Sequence, residues 1–383
     1  NWPELLIILG KLQDNEDYTD CLDSLKWEDK IRLVRNDPVT CARYFQDKVN
    51  RFIENVLKSP FSPLGEILDY TYRVEFQHRG SPHVHMLIWV KDAPELDLTP
   101  ENISKITHFI DKYVSCSLEV SDEKMQFIKN NIHKHSKTCR KMNRRNKNVC
   151  RFNFPIPPMK ETSILQPLNG EKKDLKEHID RYVKIRSTLK HFGNQELDIK
   201  FEEFLKLVEC TYEQYISAIR VSLQKPQVFL KRSVKEIRVN PYMKNLVDTW
   251  QANHDIQFVL DPYSCARYIT DYISKSARGM SQLLKKTCDE LRRGDKSLKE
   301  QVASLGHKFL TAVEISAQEA VYLSTGIPLT VKSREVEFIN TGRANERVRM
   351  LKSDEDLQIL KQKNPKATNI FKQSNIERYQ NRP

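Results

Sequence analysis

The stretch "VEFQHRGSPHVHMLIWV", residues 74–90, decides how the chain is read. It is rich in strand-forming residues, yet it carries His83 and His85 two apart, with Glu75 and Gln77 two apart on the other side of "HRGSP". Successive strand side chains point to opposite faces, so each of these pairs shares one face. Gly80 and Pro82 suit a turn that folds the chain back on itself. With the turn centred near Gly80, residue 75 faces 85 and residue 77 faces 83. Four metal-ligating side chains, His83, His85, Glu75 and Gln77, then converge on one patch of sheet. The opposite face, with Phe76, Val84, Met86 and Ile88, is apolar enough to be core. A half-buried hairpin with solvated imidazoles needs no ion, and a lone His would be read that way. H-x-H facing E-x-Q across a turn favours a divalent metal.

Around this hairpin lie 383 residues, a length that predicts two or three lobes. A hydrophobic content of 39% can fill a core and excludes global disorder. Lys and Arg number 63 against 51 Asp and Glu, a net charge of +12 that points to a polyanionic partner, nucleic acid first. The apolar run "LLIIL" is far too short to span a bilayer and no signal-peptide pattern surrounds it, so no membrane role is expected and the protein reads as soluble and intracellular. Cysteines at 21, 41, 116, 139, 150, 210, 265 and 288 are too scattered for a disulfide scaffold, which leaves reduced thiols, some of them available to a metal. The start at "NWPEL", without a methionine, suggests a piece of a larger polypeptide.

"DPVTCARYFQDKVNRFIENVL" predicts an amphipathic helix, with Asp37 as cap, Pro38 in the first turn and apolar residues at 41, 45, 49, 52 and 56. A second helix should start near Thr99. Residues 131–158, "NIHKHSKTCRKMNRRNKNVCRFNFPIPP", are basic, cysteine-bearing and without amphipathic period. Helical periodicity returns over 173–222, and "QVFLKRSVKEIRVNPYM" reads as strand segments ending in a turn at Pro241. From about 285 the chain reads as charged helix, then the extended "IPLTVKSREVEFIN", then a polar linker or tail over roughly the last thirty residues. There is no G-x-x-x-x-G-K-[ST] loop and so no support for nucleotide hydrolysis.

"DPYSCARYITDYISKSARG" places Tyr268 and Tyr272 four apart, on one face of a helix, with Lys275 three further on. An isolated Y-x-x-x-Y is ordinarily an aromatic stripe in a core, but Asp271, Lys275 and Arg278 make this segment polar for that. A phenol with a pKa of about 10 needs help to attack a phosphodiester. A divalent cation can polarise the phosphate, and a nearby Lys can stabilise developing charge. The hairpin and the tyrosines are then two halves of one covalent chemistry.

Taken together, "EFQHRGSPHVHMLIW" and, far downstream, "YITDYISK" resemble the replication-initiator nuclease of Helitron rolling-circle transposases, a branch of the HUH endonuclease superfamily. "NWPEL", "DPVTCARYF", "CRFNFP" and "ANHDIQFVLDPYSCARYITDYISK" are similar to the same family, over about residues 1–280, and "EISAQEAVYLSTGIPL" more loosely. The resemblance implies that His83 and His85 carry a divalent ion, Mg or Mn, and that Tyr268 and Tyr272 are the nucleophiles of a two-tyrosine enzyme. The family's third ligand is a polar side chain on the neighbouring strand, a role open to Glu75 or Gln77. The charge of Glu75 suits a hard cation better, and strand parity admits both. Family members also carry a helicase domain, whose motifs are absent from these 383 residues, so strand separation by this chain is in doubt.

The expected fold is α/β, a central antiparallel sheet flanked by helices as in HUH nucleases, with a basic Cys/His-containing insertion and a helical C-terminal extension. Residues 1–130 would form the first part of the nuclease domain, 131–158 the insertion, 159–284 the second part with the tyrosine helix, and 285–383 an extension and linker toward a missing helicase domain. In the insertion, His133, His135, Cys139 and Cys150 supply the four ligands that a closed zinc site takes, though four such residues could equally sit apart in a basic loop. Zinc would supply folding energy that apolar burial does not. Lys137, Arg140, Lys141, Arg144, Arg145, Lys147 and Arg151 make this the most basic stretch, suited to phosphates, while Phe152 and Phe154 suit either base stacking or core. The expected activity is cleavage and transfer of single-stranded DNA, leaving a 5′-phosphotyrosine link and a free 3′-hydroxyl. The rival expectations are a plasmid or viral rolling-circle initiator or relaxase, and a non-catalytic zinc-containing DNA-binding module. The expected location is the nucleus in a eukaryote, otherwise intracellular and DNA-associated.

Overall fold

The computed structural model describes residues 3–22, 24–76, 81–142, 148–170, 175–192, 199–273, 289, 297, 299–303, 306, 315–335, 337, 339, 349–364 and 370–380. Three N-terminal helices, α1 (Pro3–Gln13), α2 (Trp27–Asn36) and α3 (Pro38–Phe52), lead to the hairpin. Asp37 halts α2 and starts α3, its carboxylate accepting the Thr40 N–H at 2.8 Å while Pro38 opens the first turn. The predicted apolar period is met, with Cys41, Ala42, Phe45 and Val49 buried. Asp37→Ala should lower stability by about 1 kcal/mol, the usual cost of a lost N-cap, read as a shifted urea midpoint; an unchanged midpoint would mean that tertiary packing alone sets this helix start.

Strands β1 (Ile67–Phe76) and β2 (Pro82–Val90) form the antiparallel hairpin. Its even-numbered face is apolar as expected. Tyr72 and Val74 are buried, and Phe76, Val84, Met86 and Ile88 pack against the same core. An irregularity between Ile67 and Asp69 lets Ile67 pack inward and leaves Leu68 outside. The core is completed by α3, by α4 (Pro100–Tyr113) through Ile106 and Ile110, and by the later helix Lys244–Trp250 through Leu246 and Val247. Thr99 sits at the N-cap position of α4 as predicted, without a side-chain cap bond. Each large side chain so buried contributes about 1.5–3 kcal/mol.

The sheet has a third strand, which falls within the stretch read as extended, though its partner was not read. Its order is β2, β1, then Thr330–Lys332, with the Val74 N–H donating to Leu329 O at 2.8 Å and Thr71 Oγ1 donating to Val331 O at 3.2 Å. Just before it, the helix Ala317–Thr325 packs on α3, with the Tyr322 hydroxyl donating to Gln46 Oε1 at 3.1 Å and the Tyr322 ring 5.1 Å from that of Phe76. These residues were expected in the extension beyond 284. The chain divides into compact units Asn1–Val331 and Lys332–Pro383. Most of the charged run predicted as helix from 285 lies outside the described residues.

A second core lies in the middle of the chain. Helices Lys176–Phe192, Phe201–Leu207 and Tyr212–Arg220 bury Ile185, Leu189, Phe204 and Tyr215 against Met159, Phe229 and Ile237. Tyr215 is fully buried and its hydroxyl donates to Pro158 O at 2.9 Å. Of "QVFLKRSVKEIRVNPYM" only Gln227–Phe229 is strand, paired with Ser163–Leu165. Val234–Glu236 is a 3-10 turn instead, because the Glu236 carboxylate reaches back to the Ser233 N–H and hydroxyl at 2.8 and 2.7 Å.

In the unit Lys332–Pro383, the stretch read as a polar linker or tail contains helices Asp354–Lys363 and Asn375–Gln380. The first is set by a capping serine, Ser353 accepting the Asp356 N–H at 3.2 Å, and by three acidic residues in its first turn. The molecule is thus mixed α/β, with a small antiparallel sheet and many helices. Among the described residues no helix is long and apolar enough to cross a membrane.

Candidate metal centres and the tyrosine helix

On the face of the hairpin away from the core, Glu75, His83 and His85 meet. His83 Nε2 lies 3.0 Å from His85 Nε2, and Glu75 Oε2 lies 2.9 Å from His85 Nε2 and 3.2 Å from His83 Nε2. The three side chains are between 19% and 35% exposed, shielded but reachable. The register differs from the one expected. Glu75 pairs with His83 and Arg73 with His85, not 75 with 85 and 77 with 83. Pro82, which lacks an N–H, takes the first position of β2 opposite Phe76, and this moves the centre of the turn one residue toward the N-terminus. Parity is unaffected, so the face was read correctly. Glu75 reaches His85 diagonally, within the span of a long side chain. The Arg73 guanidinium, directly opposite His85, donates instead to Thr330 Oγ1 at 3.2 Å. The other ligand considered, Gln77, lies outside the described residues.

A separate cluster gathers His133, His135, Cys139 and Cys150. His133 Nε2 and His135 Nδ1 are 3.2 Å apart, Cys139 Sγ is 3.5 Å from His135 Nδ1, and Cys150 Sγ is 3.5 Å from His133 Nε2. The alternative, four residues apart in a loop, is not what the chain adopts. His133 is fixed by its N–H to Arg238 O at 2.8 Å, beside the bridge between Ile132 and Val239. Cys139 closes a 3-10 turn, Lys137–Cys139, and accepts the Ser136 N–H at 3.3 Å. A short ribbon, Arg140–Met142 against Asn148–Cys150, then returns the chain so that Arg140 pairs with Cys150. Burial pushes the imidazoles of His133 and His135 below the usual histidine range, which keeps them neutral with a lone pair to offer.

The two phenylalanines of "CRFNFP" part ways. Phe154 is buried and its ring stacks on His133 at 4.5 Å, whereas Phe152 is 50% exposed with the Arg151 guanidinium 4.5 Å from its ring centre. Lys137, Arg140, Lys141 and Arg151 are exposed; Arg144, Arg145 and Lys147 lie outside the described residues. Sequence reasoning missed Arg186, which donates to Asn153 O and Oδ1 at 3.1 Å and to Pro155 O, tying the end of the basic segment to the second core. Its only signal was an arginine in the helix after two prolines.

Tyr268 and Tyr272 both fall on the helix Pro262–Ile273; their side chains, and all of Lys275, lie outside the described residues. The start of this helix is well fixed. Asp261 accepts the Ser264 N–H at 3.0 Å and bonds the Ser264 hydroxyl, and Lys225 approaches both residues, at 3.3 and 3.1 Å. Ile256, Phe258 and Leu260, just before it, pack on the core that also backs the hairpin.

Residues 1–88 match the family model described as the Helitron helicase-like domain at the N-terminus. No curated protein and no solved structure matches the chain. The matched stretch holds α1, α2, α3, β1 and all three hairpin ligands, and it stops short of the Cys/His cluster and the tyrosine helix. Those 88 residues, under a quarter of the chain, are what is similar to that Helitron domain.

Proposed function

We propose that the protein is a single-stranded DNA endonuclease and strand transferase of a rolling-circle transposon. The observation that carries this is the triangle of Glu75 Oε2, His83 Nε2 and His85 Nε2, with edges of 2.9, 3.0 and 3.2 Å. Adjacent ligands on an octahedral ion with bonds of about 2.1 Å stand about 3.0 Å apart. The Glu75 carboxylate suits a hard divalent ion such as Mg or Mn, and the two imidazole nitrogens fill two further positions on it, with the open side toward solvent for a phosphate. Such an ion would supply Lewis-acid polarisation of the scissile phosphate.

The chain's own residues then do the rest. A tyrosine oxygen, from Tyr268 or Tyr272, attacks phosphorus; the bond from phosphorus to the 3′-oxygen breaks, and that oxygen leaves as a 3′-hydroxyl once protonated. The 5′ end stays esterified to the phenol. Lys275, three residues on from Tyr272 in the sequence, stabilises charge on the phosphoryl oxygens. Transfer runs the same step backward onto an incoming 3′-hydroxyl. Incubation with a 5′-tailed oligonucleotide and manganese, followed by a denaturing gel, tests this directly. A covalent adduct is expected. Retained binding without any adduct would favour the non-catalytic DNA-binding module, a reading that the separate Cys/His cluster supports.

The exposed cations Arg140, Lys141 and Arg151 fit the phosphates of the bound strand. Replacing all three by Ala should make log affinity against log salt shallower by about 2, at roughly 0.7 per single-strand phosphate contact. A slope unchanged from that of the unsubstituted protein would place the strand elsewhere.

A further inference from the structure

We propose that His133, His135, Cys139 and Cys150 form a closed tetrahedral zinc site whose ion holds the basic ribbon in place, and that the protein therefore sorts two different metals between two sites. A tetrahedral zinc with bonds of about 2.05 Å to nitrogen and 2.3 Å to sulfur holds two nitrogens about 3.3 Å apart and nitrogen about 3.6 Å from sulfur. The observed separations are 3.2 Å between nitrogens and 3.5 Å for both nitrogen–sulfur pairs. The hairpin triangle is tighter and lacks sulfur. Thiolates select borderline and soft ions, whereas the carboxylate of Glu75 favours a hard one.

The site is built as a structural one. All four protein positions are filled, so no open position is left for a substrate. One side is covered by Phe154, stacked on His133 with an interplanar angle of 10°, and Phe152 approaches the same ring edge-on at 5.7 Å. Cys139 is only 3% exposed, and its sulfur accepts the Ser136 N–H, the kind of outer contact that orients a ligand.

The ribbon also has little else to hold it. Its strands are three residues each, and the residues of Arg140–Met142 are all exposed, Met142 at 61%. A two-stranded ribbon without a buried face is marginal in water. Four ligands drawn from both sides of the ribbon replace the missing core, and the ion's binding energy becomes folding energy of the segment. Through His133 and Arg238 that local order is joined to the rest of the unit.

The test uses the whole chain expressed with zinc. About one zinc per chain should survive dialysis against magnesium, and it should persist in a variant carrying Glu75→Ala, His83→Ala and His85→Ala. Cobalt replacing that zinc should give the intense visible bands of tetrahedral coordination and a sulfur-to-cobalt charge-transfer band. The double variant Cys139→Ser/Cys150→Ser should lose both zinc and bands. His135→Cys should keep the ion and strengthen the charge-transfer band, which settles the assignment should the serine variant fail to fold. Removal of zinc should speed proteolysis within 140–151. A zinc-free protein, cobalt without sulfur bands, or zinc that leaves with the hairpin ligands would overturn the proposal. None of these readouts depends on DNA cleavage, so the site stands or falls apart from the nuclease reading.

Discussion

Cleavage of a 5′-tailed single strand should fall by at least about 10³-fold when His83 and His85 are both replaced by Ala, because a Lewis acid at a phosphate supplies several kcal/mol and each 1.36 kcal/mol is tenfold in rate. Binding of the same strand should change by less than about threefold, since affinity rests on many cationic contacts. The separation of the two effects is the informative part. Both imidazoles lie on the face of the hairpin away from the core, so their loss leaves Tyr72, Val74, Val84 and Met86 packed as before. Rates from initial adduct formation and affinities from fluorescence anisotropy measure the pair. Cleavage at the unsubstituted rate would remove the hairpin from the chemistry, and a parallel collapse of binding would point to a folding defect.

The second large effect divides the tyrosines. Four residues on one helix set Tyr268 and Tyr272 about 6 Å apart along its axis. With one phosphate position at the hairpin, only one phenol at a time can stand in line with the leaving oxygen. Tyr268→Phe is therefore expected to abolish the covalent adduct in a single-nick assay. Tyr272→Phe should still nick but fail in transfer to a second strand, since no free nucleophile then remains beside the occupied one. The reverse assignment would keep the mechanism and exchange the roles. Two single variants equally able to nick and transfer would make the pair redundant, and a double variant that still forms the adduct would return both residues to a packing role.

Much of the hairpin was legible because a strand's period of two is local. In both the expected and the observed register, Glu75, His83 and His85 share a face and Val84 and Met86 share the other. The pairing partner was not legible, because it depends on loop length, and Pro82 shifted it by opening β2 opposite Phe76. The α3 start was readable from Asp37 and Pro38, which act within four residues. The Cys/His cluster was readable as a set of ligand types but not as a geometry, since its spacing leaves the ribbon's return undetermined. The ring of His133 meets both phenylalanines, stacked on Phe154 and edge-on to Phe152, contacts across twenty-one and nineteen residues that no periodicity encodes. The third strand was legible as extended chain, but its pairing with β1 was not, because the partner lies some 250 positions earlier.

That strand has a consequence for how the protein is made. The three hairpin ligands are synthesised well before Leu329 and Val331, which cover the outer edge of β1. Until then its N–H and C=O groups are open to any passing strand, and such long-range closure is slow. A nascent chain stalled between these points would carry its whole set of hairpin ligands on an unprotected sheet. A fragment cut at residue 88 would do so permanently, so the shortest piece able to keep the hairpin soluble is expected to reach at least the end of the first compact unit at Val331.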